Sequence, residues 1–205
     1  KGQNIIISDN TFKNNQATID GNSITIASNA IIKNNNFENT TDNNNAEINI
    51  LIGNVNIENN SFKTKKYCIK NLNGNVSANY NYWNSNNINT IQSKILGNIE
   101  IEEWLLCNYK INPINTKDNN FIKGHEYHIY PNINKYNSKT EPYINEYNIT
   151  PPTTKFNFKA TKENELNNTE CYNNEYIIFT PSQNSSWCSI LLDDEEIRIV
   201  FKEEE

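Results

Sequence analysis

Asn29-Ala30-Ile31-Ile32-Lys33-Asn34-Asn35-Asn36-Phe37 is answered 25 residues later by Asn54-Val55-Asn56-Ile57-Glu58-Asn59-Asn60-Ser61-Phe62. Working outward, a third copy runs from Asn4 to Phe12, again 25 residues away, and a fourth from Asn75 to Trp83 after a step of 21. Each frame ends on an aromatic: Phe12, Phe37, Phe62 and Trp83. Two positions before it stand Asn10, Asn35, Asn60 and Asn81, and each frame opens on Asn4, Asn29, Asn54 or Asn75. Between these lie Ile5 and Ile7, Ala30 and Ile32, Val55 and Ile57, Val76 and Ala78, small or β-branched residues in alternation.

Alternation of period 2 inside a repeat of 25 describes short strands with one buried face, too short to stand alone and therefore stacked in parallel along an axis. Asn10, Asn35, Asn60 and Asn81 should form an amide ladder at a turn, and the four aromatics a second ladder. Further alternating stretches supply another strand per coil: Ile24 and Ile26; Ile48, Ile50 and Ile52; Ile69 and Leu72. The polar stretch from Glu38 to Asn45 reads as a surface loop. The chain holds 45 Asn among 205 residues, a bias that ordinarily signals low complexity. Here the Asn residues recur in register with apolar positions, which an aperiodic disordered or amyloid-prone tract would not maintain.

From about Lys110 the frame is lost. Candidate strands are Phe121 to Tyr130, Tyr143 to Ile149, Thr154 to Ala160, Glu175 to Thr180, and a hairpin of Trp187 to Leu192 with Glu196 to Lys202 about Asp193-Asp194-Glu195. Pro113, Pro131, Pro142, Pro151, Pro152 and Pro181 are expected between strands, where a missing N–H is harmless. Short strands separated by turns suggest a β-sandwich. The expectation is thus an all-β chain: a right-handed parallel β-helix of about four coils over residues 1–109, then an immunoglobulin-like β-sandwich over 110–205.

A resemblance points the same way. Val76-Ser77-Ala78-Asn79-Tyr80-Asn81-Tyr82-Trp83-Asn84-Ser85 resembles the N-Y-W-G-type motif that closes the β-helix in adhesin-like surface proteins of methanogenic archaea. Ile95-Leu96-Gly97-Asn98 and Glu103-Trp104-Leu105-Leu106-Cys107-Asn108-Tyr109 follow in the family's order. Phe156-Asn157-Phe158-Lys159-Ala160-Thr161 resembles the F-x-A-T segment of its bacterial-Ig-like domains. Asn84 replaces the usual Gly, and Asn and Glu replace most glycines of the Ig-like part. The resemblance implies an extracellular, cell-surface location and a glycan or surface protein of another cell as partner.

Chemistry is sparse. His125 and His128, three apart in a candidate strand, point to opposite faces and do not make a metal pair. β-helices also carry pectate-lyase-like and other polysaccharide-cleaving enzymes, which need carboxylates converging on one face or an oxygen-rich calcium cluster. Asp9, Asp20, Glu38, Asp42, Glu47 and Glu58 share no column, Asp193 and Asp194 sit at the hairpin tip, and the one Arg is Arg198. No nucleophile elbow or phosphate loop is present. No catalytic residue, metal or cofactor is expected. Tyr80 and Tyr82, flanking Asn81, are the candidate glycan contacts; capping the helix end is the structural alternative, and Trp83 belongs to the ladder.

A net charge of −6 and a pI near 5.1 disfavour nucleic acid, and no apolar run reaches the length of a membrane span. Four cysteines allow three pairings, of which Cys171–Cys188 and Cys68–Cys107 are the expected ones. The chain opens at Lys1 without Met or a leader, which reads as an excised segment. Its first coil is expected to present an open edge that self-associates or is covered, while Ile88 to Leu106 covers the other end. Three functions stay open: an adhesive stalk, a polysaccharide lyase or hydrolase fragment, and a purely architectural segment of the cell envelope.

Overall fold

A computed structural model describes residues 4–41, 43–112, 123–140, 144–183 and 185–200. The described chain is all-β apart from one short helix and a 3-10 turn, and it divides into two compact units. The division is not one cut near 109/110. The first unit takes Lys1–Cys107 together with Ile133–Thr153, and the second takes Asn108–Asn132 and Thr154–Glu205.

The first unit is a parallel β-solenoid of about four turns. Its strands are β1 (Ile5–Ser8), β2 (Thr11–Lys13), β3 (Ile24–Ile26), β4 (Ala30–Lys33), β5 (Asn36–Asn39), β6 (Ile48–Glu58), β7 (Ser61–Thr64) and β8 (Ile69–Ser77). Helix α1 (Ile88–Ser93) and β9 (Ile95–Leu96) follow. One sheet stacks β1-β4-β6-β8-β9, with β3 also on β6, and a second stacks β2-β5-β7. The registers are those of the repeat: Ile5 beside Ala30, Ala30 beside Val55 and Val55 beside Val76. Phe12, Phe37 and Phe62 align in the second sheet. A third column runs Ile24, Ile48, Ile69 and Ile95.

The interior is one apolar cluster that includes Ile26, Ile32, Phe37, Ile50, Ile57, Phe62 and Trp83. Ile91, Ile101, Trp104 and Leu106 join it from the segment after the last repeat. Asn87 starts α1, its side-chain carbonyl accepting from Asn89 N at 2.9 Å. Two expected inward residues turn outward: Ile52 is 57% and Leu72 51% exposed. Both precede a corner glycine, Gly53 or Gly74, which are stacked in register. The alternation breaks where the strand bends, so the two strands expected per coil run on as the single long β6 and β8. Gly53 has φ +121°, and a Cβ there would lie 2.2 Å from Ser28 O. Gly53→Ala should therefore cost about 2 kcal/mol, read as a lower urea midpoint with an unchanged slope.

The second unit is built of antiparallel sheets. Strand β10 (Glu103–Asn112) neighbours β11 (Tyr127–Ser138), which also pairs with β12 (Asn145–Glu146) and with β15 (Ile177–Phe179). Of these, Lys135 opposite Glu146 and Tyr136 opposite Asn145 fall in the first unit. The other sheet has the order β14-β13-β16-β17: β14 (Glu170–Tyr172), β13 (Lys155–Ala160), β16 (Trp187–Leu191) and β17 (Glu196–Val200). β16 and β17 form the expected hairpin, with Leu191 opposite Glu196. Tyr127, Ile129, Phe156, Phe158, Phe179 and Ile190 are buried.

Three sequence expectations change here. Of the strand placed at Phe121 to Tyr130, Phe121 and Ile122 lie outside the described residues; the strand found starts at Tyr127 and runs through Pro131, which sits between the stretch paired with β15 and the stretch paired with β12. The strand placed at Tyr143 to Ile149 shrinks to β12, with Tyr143 outside the described residues. Neither expected disulfide forms. Cys171 lies opposite Phe156 on one side of β13 and Cys188 opposite Ala160 on the other, so a whole strand separates them. Cys68 is held in the solenoid interior, 3.2 Å from the Thr64 hydroxyl, while Cys107 N donates to the Asn86 side chain. Burial, and behind it the charge of Glu175, pushes the Cys171 thiol up to about 12.

One buried carboxylate organises the second unit. Glu165 accepts from Ser182 N at 2.8 Å and from the hydroxyls of Ser182 and Ser186 at 2.6 and 2.8 Å, while its second oxygen accepts from Lys162 N at 3.1 Å. Burial alone would raise its pKa, but these donors together hold it below the ordinary value of 4.5. A depressed folded pKa means that the carboxylate's contribution is complete above the unfolded value and is lost as pH falls through the folded one. Glu165→Gln turns an amide donor toward Lys162 N or Ser182 N, so we expect a loss of about 2 kcal/mol at neutral pH. The variant should also show a flatter decline in thermal midpoint below pH 4.5.

Candidate functional site

The columns read from the sequence become two stacks inside the solenoid. Asn35 N and Nδ2 donate to Asn60 Oδ1 at 2.9 and 3.0 Å, and Asn60 N and Nδ2 both donate to Asn81 Oδ1 at 2.9 Å. Asn10 N donates to Asn35 Oδ1 at 3.0 Å. The remaining amide hydrogens reach main-chain carbonyls, such as Asn60 to Ile32 O and Asn81 to Ile57 O. Phe12, Phe37 and Phe62 stack with centroids 4.9 Å apart and planes 8° apart, and Trp83 follows at 4.8 Å. These residues are consumed by the architecture. What remains for function is the outer surface.

The two tyrosines separate. Tyr82 is fully buried, its hydroxyl 3.4 Å from Asn84 Oδ1, and it bridges to Ser61 in the coil before. That removes it as a glycan contact: the position directly before the aromatic is covered in the later coils, at Asn36 and Ser61 as well. Tyr80 is half-buried, with φ +54°. Its ring lies edge-on to Tyr136 at 5.2 Å and over Tyr147 at 5.6 Å. Together with Asn34, Asn59, Glu58 and Tyr147 it lines a recess of about 220 Å³. Tyr147 donates to Asn59 Oδ1 at 3.0 Å, and burial, then the Glu58 charge, pushes its hydroxyl up to about 12. The recess is thus small, and its two asparagines and the Tyr147 hydroxyl are already engaged.

A larger groove, of about 460 Å³, runs across the coils. One wall is the frame-opening column Asn4, Asn29, Asn54 and Asn75; the floor includes Ile31, Asn56 and Ser77, with Glu100 at one end. Asn54 N donates to Asn29 Oδ1 at 2.9 Å, and Asn75 Nδ2 lies 3.4 Å from Asn54 Oδ1. All four column residues are exposed. Successive coils repeat at the strand spacing of roughly 4.8 Å, so the groove offers a row of amide donors and acceptors. The column was visible in the sequence as a repeat; its outward direction was not.

The carboxylates do not converge on that groove. Glu100 is its single acidic lining residue. Asp20 contacts Lys70; burial alone would raise its pKa, but that bond and the Ala46 N–H hold it below the ordinary value. Glu38 pairs with Lys13 at 3.3 Å. Glu47 is buried and accepts from Asn22, Ser23 and Asn39 at 3.2, 2.6 and 2.5 Å. Glu58 accepts from Asn56 at 3.0 Å, and Asp9 from Asn34 at 3.3 Å. Asp42 lies outside the described residues. His128 stacks on Tyr176 and His125 is exposed. No group of three His, Cys, Asp or Glu among the described residues is placed to hold a metal, and none of their helices is long and apolar enough to cross a membrane. No protein-family model, curated protein or solved structure matches the chain.

Proposed function

We propose that the chain is a non-catalytic module of an extracellular surface protein, an adhesive stalk that attaches to glycans or surface proteins of other cells. The observation that carries this reading is the outer groove. It presents a column of four exposed amides and a single carboxylate, which suits hydrogen bonding to hydroxyl-rich chains and lacks the paired acids of glycoside cleavage. In this reading the solenoid is right-handed, the second unit is an Ig-like sandwich that spaces it from the next module, and the kinship is with adhesin-like archaeal surface proteins. The order of short motifs from Asn81-Tyr82-Trp83 to Phe158-Lys159-Ala160-Thr161 supports that kinship.

The test is a screen of the chain against a glycan array and intact cells, with carbohydrate-degradation assays on the same panel. Saturable binding without turnover is the expected result. Turnover of any polysaccharide would overturn the reading in favour of a β-helix enzyme, and flat curves throughout would leave a purely architectural segment.

A further inference from the structure

The second unit carries a hollow of about 380 Å³ that no motif or repeat announces. Its walls include Tyr130, Pro131 and Asn132 of β11, Lys110 and Asn112 of β10, and Asn174 from the turn before β15. Along β11, Tyr127, Ile129 and Pro131 are buried, while His128, Tyr130 and Asn132 lie on the half-exposed face. That face holds an aromatic group outside any core. His128 and Tyr176 are parallel with centroids 4.3 Å apart, and Tyr130 lies 5.2 Å from Tyr176 at 46°. Tyr176 is 43% exposed.

Cross-strand stacking accounts for part of this, because His128 pairs with Ile178 and extending the register sets Tyr130 opposite Tyr176. Sheet stability does not call for the hollow beside it. Nor does it call for the side chains of Lys110, Asn112, Asn132 and Asn174, none of which has a hydrogen-bond or ion-pair partner among the described residues. An aromatic ring, a proline, four asparagines and one lysine line one concavity. Apolar faces with a few convergent polar groups are how small-molecule sites combine affinity with orientation. The solenoid groove has amides but no ring, and the Tyr80 recess has rings but engaged amides; of the three, this hollow has both.

We infer that this hollow is a seat for one or two sugar rings of an acidic glycan, resting on the reading of the chain as a glycan-attaching module. Tyr130 offers its face to the C–H side of a pyranose, Asn112, Asn132 and Asn174 bond its hydroxyls, and Lys110 pairs with a ring carboxylate. Lys110 is the sole charged group of the lining, in a protein whose net charge is −6. It therefore favours a hexuronate over a neutral hexose locally, although the whole molecule repels anions.

The experiment titrates the full chain by calorimetry with short oligomers of hexuronate, neutral hexose and N-acetylhexosamine. Tyr130→Ala, Asn132→Ala and Lys110→Gln are titrated in parallel, and each variant is first checked for an unchanged thermal midpoint. Asn168→Ala, at an exposed position of the second unit outside the hollow, is the contrasting variant. The expected result is hexuronate binding that Tyr130→Ala weakens by about tenfold or more. Lys110→Gln should abolish the preference for hexuronate over hexose and reduce the salt dependence, and Asn168→Ala should change neither. Binding left unchanged by both Tyr130→Ala and Asn132→Ala overturns the hollow while the adhesive reading stands. A preference for neutral oligomers overturns the acidic assignment. If the unaltered chain binds no oligomer, no array glycan and no cell, the adhesive reading falls and takes the hollow with it.

Discussion

Asn60→Ala should come close to unfolding the solenoid. Asn60 is fully buried, and its side chain serves three main-chain groups: it accepts from Asn35 N and donates to Ile32 O and Glu58 O. Truncation leaves all three without that partner, in a place water does not reach. Each such group costs on the order of 1–3 kcal/mol, so a loss of about 4 kcal/mol is expected in urea denaturation, a large part of a typical domain's stability. Two companions sharpen the test. Asn10→Ala should cost under about 1 kcal/mol, because that amide is exposed and donates only to Ser8 O and to Asn35 Oδ1. Asn60→Asp keeps the shape but aims an anionic oxygen at two carbonyls, so it should be as damaging at neutral pH and partly rescued in acid, where the carboxyl can donate. Equal, small losses for Asn60→Ala and Asn10→Ala would show that the ladder contributes little.

Phe37→Ala should cost a similar amount, about 3–5 kcal/mol. The ring is fully buried and has a neighbour on both faces, so truncation removes two stacks and opens a cavity between coils. The cavity cannot close easily, because strands β2, β5 and β7 hold Phe12, Phe37 and Phe62 in register by their own hydrogen bonds. Phe12→Ala removes one stack from a partly buried ring and should cost less than half as much. Equal losses at the two positions in thermal unfolding would mean that the column relaxes.

The solenoid was legible because each coil solves the same packing problem with the same residue at the same offset. Offsets of 25 and 21 in the sequence reappear as strand registers and as donor–acceptor pairs from Asn10 to Asn81. Legibility failed where a coil bends. Ile52 keeps the alternation of Ile48 and Ile50 in sequence but loses it in space, since the path turns at Gly53, while Leu72, three residues after Ile69, is out of phase with it. Tyr82 misled for a related reason: alternation with Asn81 suggested an outward ring, yet its column mate Ser61 is itself buried. In the second unit nothing repeats, and strands as short as Glu170–Tyr172 lie in polar sequence with no local mark. The return of Ile133–Thr153 to the first unit is set by long-range pairing such as Tyr147 with Asn59, separated by 88 residues. The outer amide groove needed coil directions, and the hollow beside Tyr130 needed the pairing of β11 with β15.

The amide ladder also has an electrical sense. At every step the lower-numbered Asn donates and the next one accepts, from Asn10 through Asn35 and Asn60 to Asn81. The carboxamide dipoles therefore add along the stacking direction and polarise one another, whereas strand dipoles in sheets largely run across it. The column behaves as a small oriented electret: its carbonyl-negative pole lies at Asn10, where Oδ1 accepts nothing among the described residues, and its amide-positive pole lies at Asn81, discharged into Ile57 O and Asn79 O. A cation is thus welcomed at one pole and opposed at the other, and the two ends of the stack are chemically inequivalent even where their side chains match.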